Sequence, residues 1–125
     1  MSLRPFLPAT TAWVPPGGVN LGPAVTHFGI RAAQRGVQSV PGDWLKWAVE
    51  RAITQGRDDL VERMFEIDDG STLYRVILPD GPTHPVIRNH VAVTVYSPKE
   101  VRALRQTRRW RKSMFGKRAR PPGRR

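Results

Sequence analysis

Three basic side chains recur at four-residue intervals near the start of the chain, and their types suit phosphate binding or catalysis. His27, Arg31 and Arg35 occupy positions i, i+4 and i+8, the spacing that places side chains along one face of an α-helix. One interpretation of this row is a phosphate-binding or catalytic face. The other, which is the commoner outcome for a charged helix face, is plain exposure to solvent.

Two helices are predicted to position this row and to supply the core. The first covers residues 23–36, where Thr26 is a suitable N-cap and Gly36 a suitable residue to follow the end. The second runs from Trp44 to Thr54, because its apolar residues recur with a helical period, and Asp43 is its predicted N-cap.

The tryptophans of this half of the chain are predicted to be structural. Trp44 and Trp47 are expected in the core rather than on a stacking surface, since tryptophan contributes a large buried area. Residues 1–22 are rich in Pro and Gly and are predicted to form an extended N-terminal arm. Within this arm, residues 11–14 could form a short edge strand, or Trp13 could pack on the body as an anchor.

An antiparallel meander is predicted to follow the helices. Asp-Gly pairs separate runs that are rich in β-branched and aromatic residues, and this pattern is typical of hairpins. The runs lie at residues 61–67, 72–78 and 86–96, with a break near Asn89. His84 lies between prolines before the third run and is predicted to be exposed in a turn.

The third predicted strand alternates between apolar and polar residues, so its two sides should face different surroundings. The apolar side is expected to pack on the helices, and the polar side is expected to carry no helix. That polar side is either a solvated sheet face or a binding groove. The apolar set is Ile87, Val91, Val93 and Val95, and the other set is Arg88, His90, Ala92, Thr94 and Tyr96.

A last helix is predicted from the capping box of Ser97 and Glu100 to about Met114, with a flexible tail beyond. The fold class is therefore α+β, with two N-terminal helices packed on a three- to four-stranded antiparallel meander and a basic C-terminal helix. The predicted organisation is an arm at 1–22, a core domain at 23–98, and a basic helix and tail at 99–125.

The positive charge is concentrated in this last segment. Residues 101–125 contain 11 of the 21 lysines and arginines and no acid, while the first hundred residues hold 10 bases and all 10 acids. A neutral body with a basic extension is typical of polyanion binding; a solubilising tail or an acidic protein partner is the alternative. The predicted nucleic-acid-binding residues are Arg105, Arg108, Arg109, Trp110, Arg111, Lys112, Lys117 and Arg118.

Other chemistry is largely excluded by composition. The chain has no cysteine, no pair of histidines at metal-ligand spacing and no glycine-rich phosphate loop, so we predict no metal site and no cofactor. No apolar run reaches the length that a membrane span needs. We therefore expect a cytoplasmic protein without a membrane partner.

The arrangement resembles the RelE/ParE-like toxins and the wider barnase–EndoU–colicin RNase superfamily. The similarity rests on the string from His27 through Arg31 and Arg35 to Gly36-Val37, and on Val93-Thr94-Val95-Tyr96 at the end of the last strand. It covers about residues 26–98. The segment between residues 37 and 61 is longer than in those proteins, and the basic tail is additional.

The resemblance implies metal-independent RNA cleavage or a related RNA-binding role. Cleavage needs a base for the ribose 2′-OH, cations for the charged phosphorane, and an acid for the leaving oxygen. His27 and His90 would be the base and the acid, and either Tyr96 or Tyr74 would orient the RNA or serve as a weak acid. The implied phosphate-binding residues are Arg31, Arg35 and Arg88, and the alternative bases are Glu62 and Glu66.

A different class of function stays open beside the ribonuclease. The chain could be a non-catalytic basic accessory protein of a phage, plasmid or nucleoprotein assembly. Its partners would be RNA or another polyanion at the tail, and a protein at the body. For the toxin-like function that protein would be an antitoxin, and for the accessory function it would be a neighbour in the assembly.

Overall fold

A computed structural model describes residues 3–18, 22–67 and 70–106 of the chain. Its helices are α1 (Pro8–Thr11), α2 (His27–Gln34) and α3 (Gly42–Thr54), and residues 98–106 form a further helix, α4. Its strands are β1 (Glu62–Glu66), β2 (Thr72–Leu78), β3 (Gly81–Arg88) and β4 (Val91–Tyr96). The predicted extension of α4 to Met114 and the predicted flexible tail lie outside the described residues.

The four strands form one antiparallel sheet in the order β1-β2-β3-β4, which confirms the α+β class and the meander. The predicted third strand is two strands, joined by a turn of Asn89 and His90. Both turn residues have positive φ, 52° and 67°, as a type I′ hairpin requires. The predicted break near Asn89 is therefore confirmed.

Helices α2 and α3 cover one face of the sheet, which we call the α2/α3 face. Val76 of β2, Ile87 of β3 and Val95 of β4 are buried there in one cluster with Phe28 of α2 and Leu45 of α3. Burying apolar side chains of this size removes enough apolar surface from water to be the main stabilising term of the domain.

The opposite face of the sheet, the α4 face, is covered as well. Leu73 and Val86 form a second buried cluster with Val101 of α4, and Phe65 and Tyr96 pack against it. The prediction of a helix-free polar face is therefore wrong. The capping box that begins α4 is confirmed: the Ser97 backbone N–H donates to Glu100 at 2.8 Å, and the Glu100 N–H donates to the Ser97 hydroxyl at 3.2 Å.

A β-bulge changes the predicted alternation along the last strand. Val86 pairs with Thr94 while its neighbour Ile87 pairs with Ala92, so Val93 is an extra residue in the ladder. Ala92 is consequently buried on the α2/α3 face although the prediction placed it with the polar set. Val91, predicted to be buried, is 45% exposed.

The caps of α2 agree with the sequence, whereas the cap of α3 does not. The Thr26 hydroxyl accepts a hydrogen bond from the Gly29 N–H at 3.0 Å, and Gly36 follows the helix with φ of +91°. The N-cap of α3 is Pro41. Asp43 therefore lies inside the first turn of α3 and does not cap its own helix.

Asp43 instead fixes the chain that enters α2. Its carboxylate accepts hydrogen bonds from the backbone N–H groups of Val25, at 2.9 Å, and Thr26, at 3.1 Å, and from the Thr26 hydroxyl. Burial alone would raise the pKa of Asp43, but these hydrogen bonds outweigh it and hold the pKa below its usual value.

The N-terminal residues are joined to the body. Phe6 is fully buried in the core, and its backbone N–H donates to the Ile77 carbonyl at 2.8 Å. Thr11 ends the short helix α1, so the edge strand suggested for residues 11–14 is wrong, while Trp13 packs against the core as an anchor. The limits predicted for the three segments of the chain stay predictions.

Candidate functional site

The basic row of α2 begins at an exposed position. His27 is the first residue of the helix and is exposed, and the Arg31 guanidinium donates to the Gln34 side chain at 3.3 Å. Helix α2 packs against β4, the strand that starts directly after His90. Two of the elements predicted to carry the site are therefore neighbours.

Arg35, the third member of the row, is paired with a carboxylate. Its guanidinium donates from Nε and Nη2 to the two oxygens of Glu100, at 3.0 and 2.9 Å. Burial alone would raise the pKa of Glu100, but Arg35 and Ser97 together hold it below its usual value. A phosphate at Arg35 would have to displace this bidentate pair, so the structure gives Arg35 a role in joining α2 to α4.

Arg88 and His90 lie at the exposed tip of the β3–β4 hairpin. The hairpin is held to α3 close to this tip, where the Ala92 N–H donates to the Glu50 carboxylate at 2.8 Å. The two predicted site residues of this hairpin therefore lie on the surface of the protein.

The remaining predicted site residues are not brought to this place. Tyr96 packs on the α4 face, opposite the face that α2 covers. A bulge in β1 puts Glu62 and Glu66 on opposite faces of the sheet, although they were predicted to share one. Each is paired with an arginine: Glu62 with Arg75 at 3.0 Å, and Glu66 with Arg63 at 3.2 Å.

His84 is buried, so its predicted exposure in a turn is wrong. It lies in β3 opposite Tyr96, is 5% exposed, and its Nδ1 has no hydrogen-bond partner among the described residues. Burial, together with the positive charges of Arg75 and Arg105, lowers the pKa of His84 to about 4. The imidazole is therefore neutral near pH 7 and acts as a core side chain.

The described part of the basic segment begins on α4. Arg102 and Arg105 are exposed there, and the Arg105 guanidinium lies over the Phe65 ring, 5.7 Å from its centroid. The other predicted nucleic-acid-binding residues lie outside the described residues: Arg108, Arg109, Trp110, Arg111, Lys112, Lys117 and Arg118.

A cluster of arginine and tryptophan on α3 was not predicted. The Arg51 guanidinium carbon lies 5.5 Å from the centroid of the Trp13 ring and 5.4 Å from that of Trp47. Arg57 contacts the same Trp13 ring at 5.7 Å. Trp44 is buried as predicted, but Trp47 is only half-buried. The spacing of Trp47 and Arg51, four residues apart on one helix, is the signal that could have revealed the cluster.

Within the described ranges, no group of three or more His, Asp or Glu side chains is arranged to hold a metal ion. Of the helices in those ranges, none combines the length and apolar character needed to cross a bilayer. Comparison of the chain with protein-family models, curated proteins and solved structures found no match. The resemblance to the RelE/ParE-like toxins stays a prediction.

Proposed function

We propose that this chain is an RNA-binding protein whose basic C-terminal segment contacts the phosphate backbone. The observation that carries the proposal is the separation of charge, with 11 basic residues and no acid after residue 100 on an otherwise neutral body. Cations clustered in this way bind a polyanion by releasing its counterions, without needing a particular sequence.

The first turns of α4, where the basic segment begins, are attached to the body. Its capping box, the burial of Val101 and the pair between Arg35 and Glu100 attach its first turns to the body. Arg102 and Arg105 are exposed beyond these attachments. The described start of the basic segment is therefore fixed on the body.

RNA is favoured over other polyanions by the residue types in the segment. Trp110 stands between Arg109 and Arg111. An aromatic ring among guanidiniums suits unpaired bases, which stack on the ring while the cations contact phosphates. The resemblance to RNA-cleaving toxins points in the same direction.

The test compares the full chain with two variants that lose equal charge. Arg109→Gln/Arg111→Gln should weaken binding to a single-stranded RNA at least about tenfold at 100 mM salt, because two phosphate contacts are lost. Arg4→Gln/Arg63→Gln, on the body, should change it little. Equal weakening by both variants would contradict the assignment, and preference for poly-glutamate over RNA would show an acidic protein partner.

A metal-independent ribonuclease is the second candidate, and the packing of α2 against β4 favours it. His27 would act as base and His90 as acid, while Arg31 and Arg88 would bind the phosphate. Cleavage of labelled RNA in EDTA should then be lost in His27→Ala and in His90→Ala, but kept in Arg4→Gln/Arg63→Gln. Absence of cleavage with intact binding would leave the non-catalytic accessory role.

A further inference from the structure

The surface of α3 carries an open depression of about 250 Å³ whose lining contains no residue of the α2 row. It is lined by Trp47, Glu50, Arg51, Thr54 and Gln55. One wall is the half-buried indole with its stacked guanidinium, and the others are polar. We propose that this depression binds one nucleotide of a single-stranded RNA, an inference that rests on the RNA-binding function proposed above.

The wall of Trp47 and Arg51 supplies the stacking surface. The Arg51 guanidinium carbon lies 5.4 Å from the centroid of the Trp47 ring, a cation–π contact. The same carbon lies 5.5 Å from the centroid of the Trp13 ring. Bases stack on aromatic rings and equally on guanidinium planes, so a wall made of both accepts any base. Because two indoles hold Arg51, less side-chain entropy remains to be lost on binding.

The local charge favours a phosphate beside this wall. The nearby cations Lys46 and Arg57 are neutralised by Glu50, at 2.6 Å, and by Asp59, at 2.9 Å. Arg51 makes no ion pair among the described residues and is exposed. Its guanidinium is therefore the charge available to a phosphate of the bound nucleotide.

The polar walls suit the edge of a base. Gln55 is exposed, and its amide offers both donors and an acceptor. One oxygen of the Glu50 carboxylate accepts from Lys46 and from the Ala92 N–H. The other oxygen can accept from an amino group of adenine, cytosine or guanine, so we expect these bases to bind more tightly than uracil.

The first experiment is photo-crosslinking of the full chain to a mixed-sequence single-stranded RNA 12-mer that carries 6-thioguanosine, whose amino group the depression should accept, followed by mass spectrometry. We expect crosslinks within residues 44–57. Arg51→Gln should lower the yield of these crosslinks about fivefold or more, the effect of losing one stacked base, and Gln55→Ala should lower it by a smaller factor because only a hydrogen bond to the base edge is lost. Arg63→Gln, which removes an equal charge from β1, should leave the yield unchanged.

The outcomes separate this inference from the proposed function. RNA binding without crosslinks in α3, and without an effect of Arg51→Gln, would overturn the nucleotide site and leave RNA binding by the basic segment intact. If the chain bound no RNA, the proposed function would fail. Titration with AMP, CMP, GMP and UMP would then test whether the depression binds a nucleotide.

That titration is read from the indole N–H resonances. The Trp47 signal should shift on addition of a nucleotide, whereas the Trp44 signal should stay in place, because its N–H donates to the Trp13 carbonyl at 3.2 Å inside the protein. Unchanged Trp47 signals with all four nucleotides would overturn the inference.

Discussion

Acidification should destabilise the fold through His84, a side chain far from the predicted catalytic row. The imidazole is buried in β3 beneath α4 and faces Tyr96, Arg75, Arg105 and Glu62. A proton added to it would have to be held in a desolvated place beside two guanidiniums. The native state therefore resists protonation of His84, whereas the unfolded chain does not.

The size of the effect follows from the two pKa values. His84 takes up its proton near pH 6.5 when unfolded but only at about 4 when folded. Between these values the unfolded state holds more protons, so the free energy of unfolding falls as the pH is lowered from 6.5 to 4. At about 1.4 kcal/mol per pH unit, the full loss is about 3 kcal/mol.

The assay is urea unfolding of the wild type and of His84→Gln at pH 7 and at pH 4.5. From pH 7 to pH 4.5, the wild type should lose about 2 kcal/mol more than the variant. Carboxylates with lowered pKa, such as Asp43 and Glu100, also cost stability in acid, but they do so equally in both proteins. His90→Gln, at an exposed site, should follow the wild type.

Equal losses in the wild type and in His84→Gln would refute the reasoning. They would mean that His84 is already solvated, and hence that α4 does not cover this part of the sheet. A larger loss in His84→Gln than in the wild type would contradict the sign of the pKa shift.

Further substitutions test the attachments between elements by urea or thermal unfolding. Glu100→Ala removes both the pair with Arg35 and the side-chain half of the capping box, and should destabilise the chain by about 1 kcal/mol, while Arg102→Ala should have little effect. Gly42→Ala should cost about 2 kcal/mol, since its Cβ would lie 2.5 Å from the Gly29 carbonyl oxygen; an unchanged midpoint would contradict the close approach of α2 and α3. Asp43→Ala should cost about 1 kcal/mol, because the chain before α2 loses its hydrogen bonds to this carboxylate.

Local signals in the sequence were sufficient for much of the fold. Thr26 and the Ser97–Glu100 pair cap their helices because short polar side chains satisfy the free N–H groups of a helix start wherever they occur. Asn89 is the first residue of the tight turn between β3 and β4 for a similarly local reason, its tolerance of positive φ. Such features need no knowledge of distant residues.

Features that depend on tertiary contacts could not be predicted in this way. Prolines on both sides of His84 are typical of a turn, yet the neighbouring strands and α4 bury it. The bulges in β1 and β4 reverse the side on which later residues lie, and alternation alone does not reveal them. Asp43 resembles a cap of its own helix but bonds to a segment 17 and 18 residues away.

The candidate site likewise combines features that local sequence predicts with features that depend on tertiary contacts. The spacing of His27, Arg31 and Arg35 defines their helix face, but the ion pair of Arg35 with Glu100 joins residues 65 positions apart. The arginine and tryptophan cluster on α3 likewise needs Trp13, which comes from the N-terminal segment. Partners brought together by folding decide which of these cations are available to a ligand.

The salt dependence of RNA binding tests the central claim most directly. For the full chain and for Arg109→Gln/Arg111→Gln, the logarithm of the association constant with a single-stranded RNA is measured against the logarithm of the salt concentration. The slope should be less steep by about 1.4 in the variant, since each phosphate contact contributes about 0.7. Identical slopes, or affinity that does not depend on salt, would contradict RNA binding through the basic C-terminal segment.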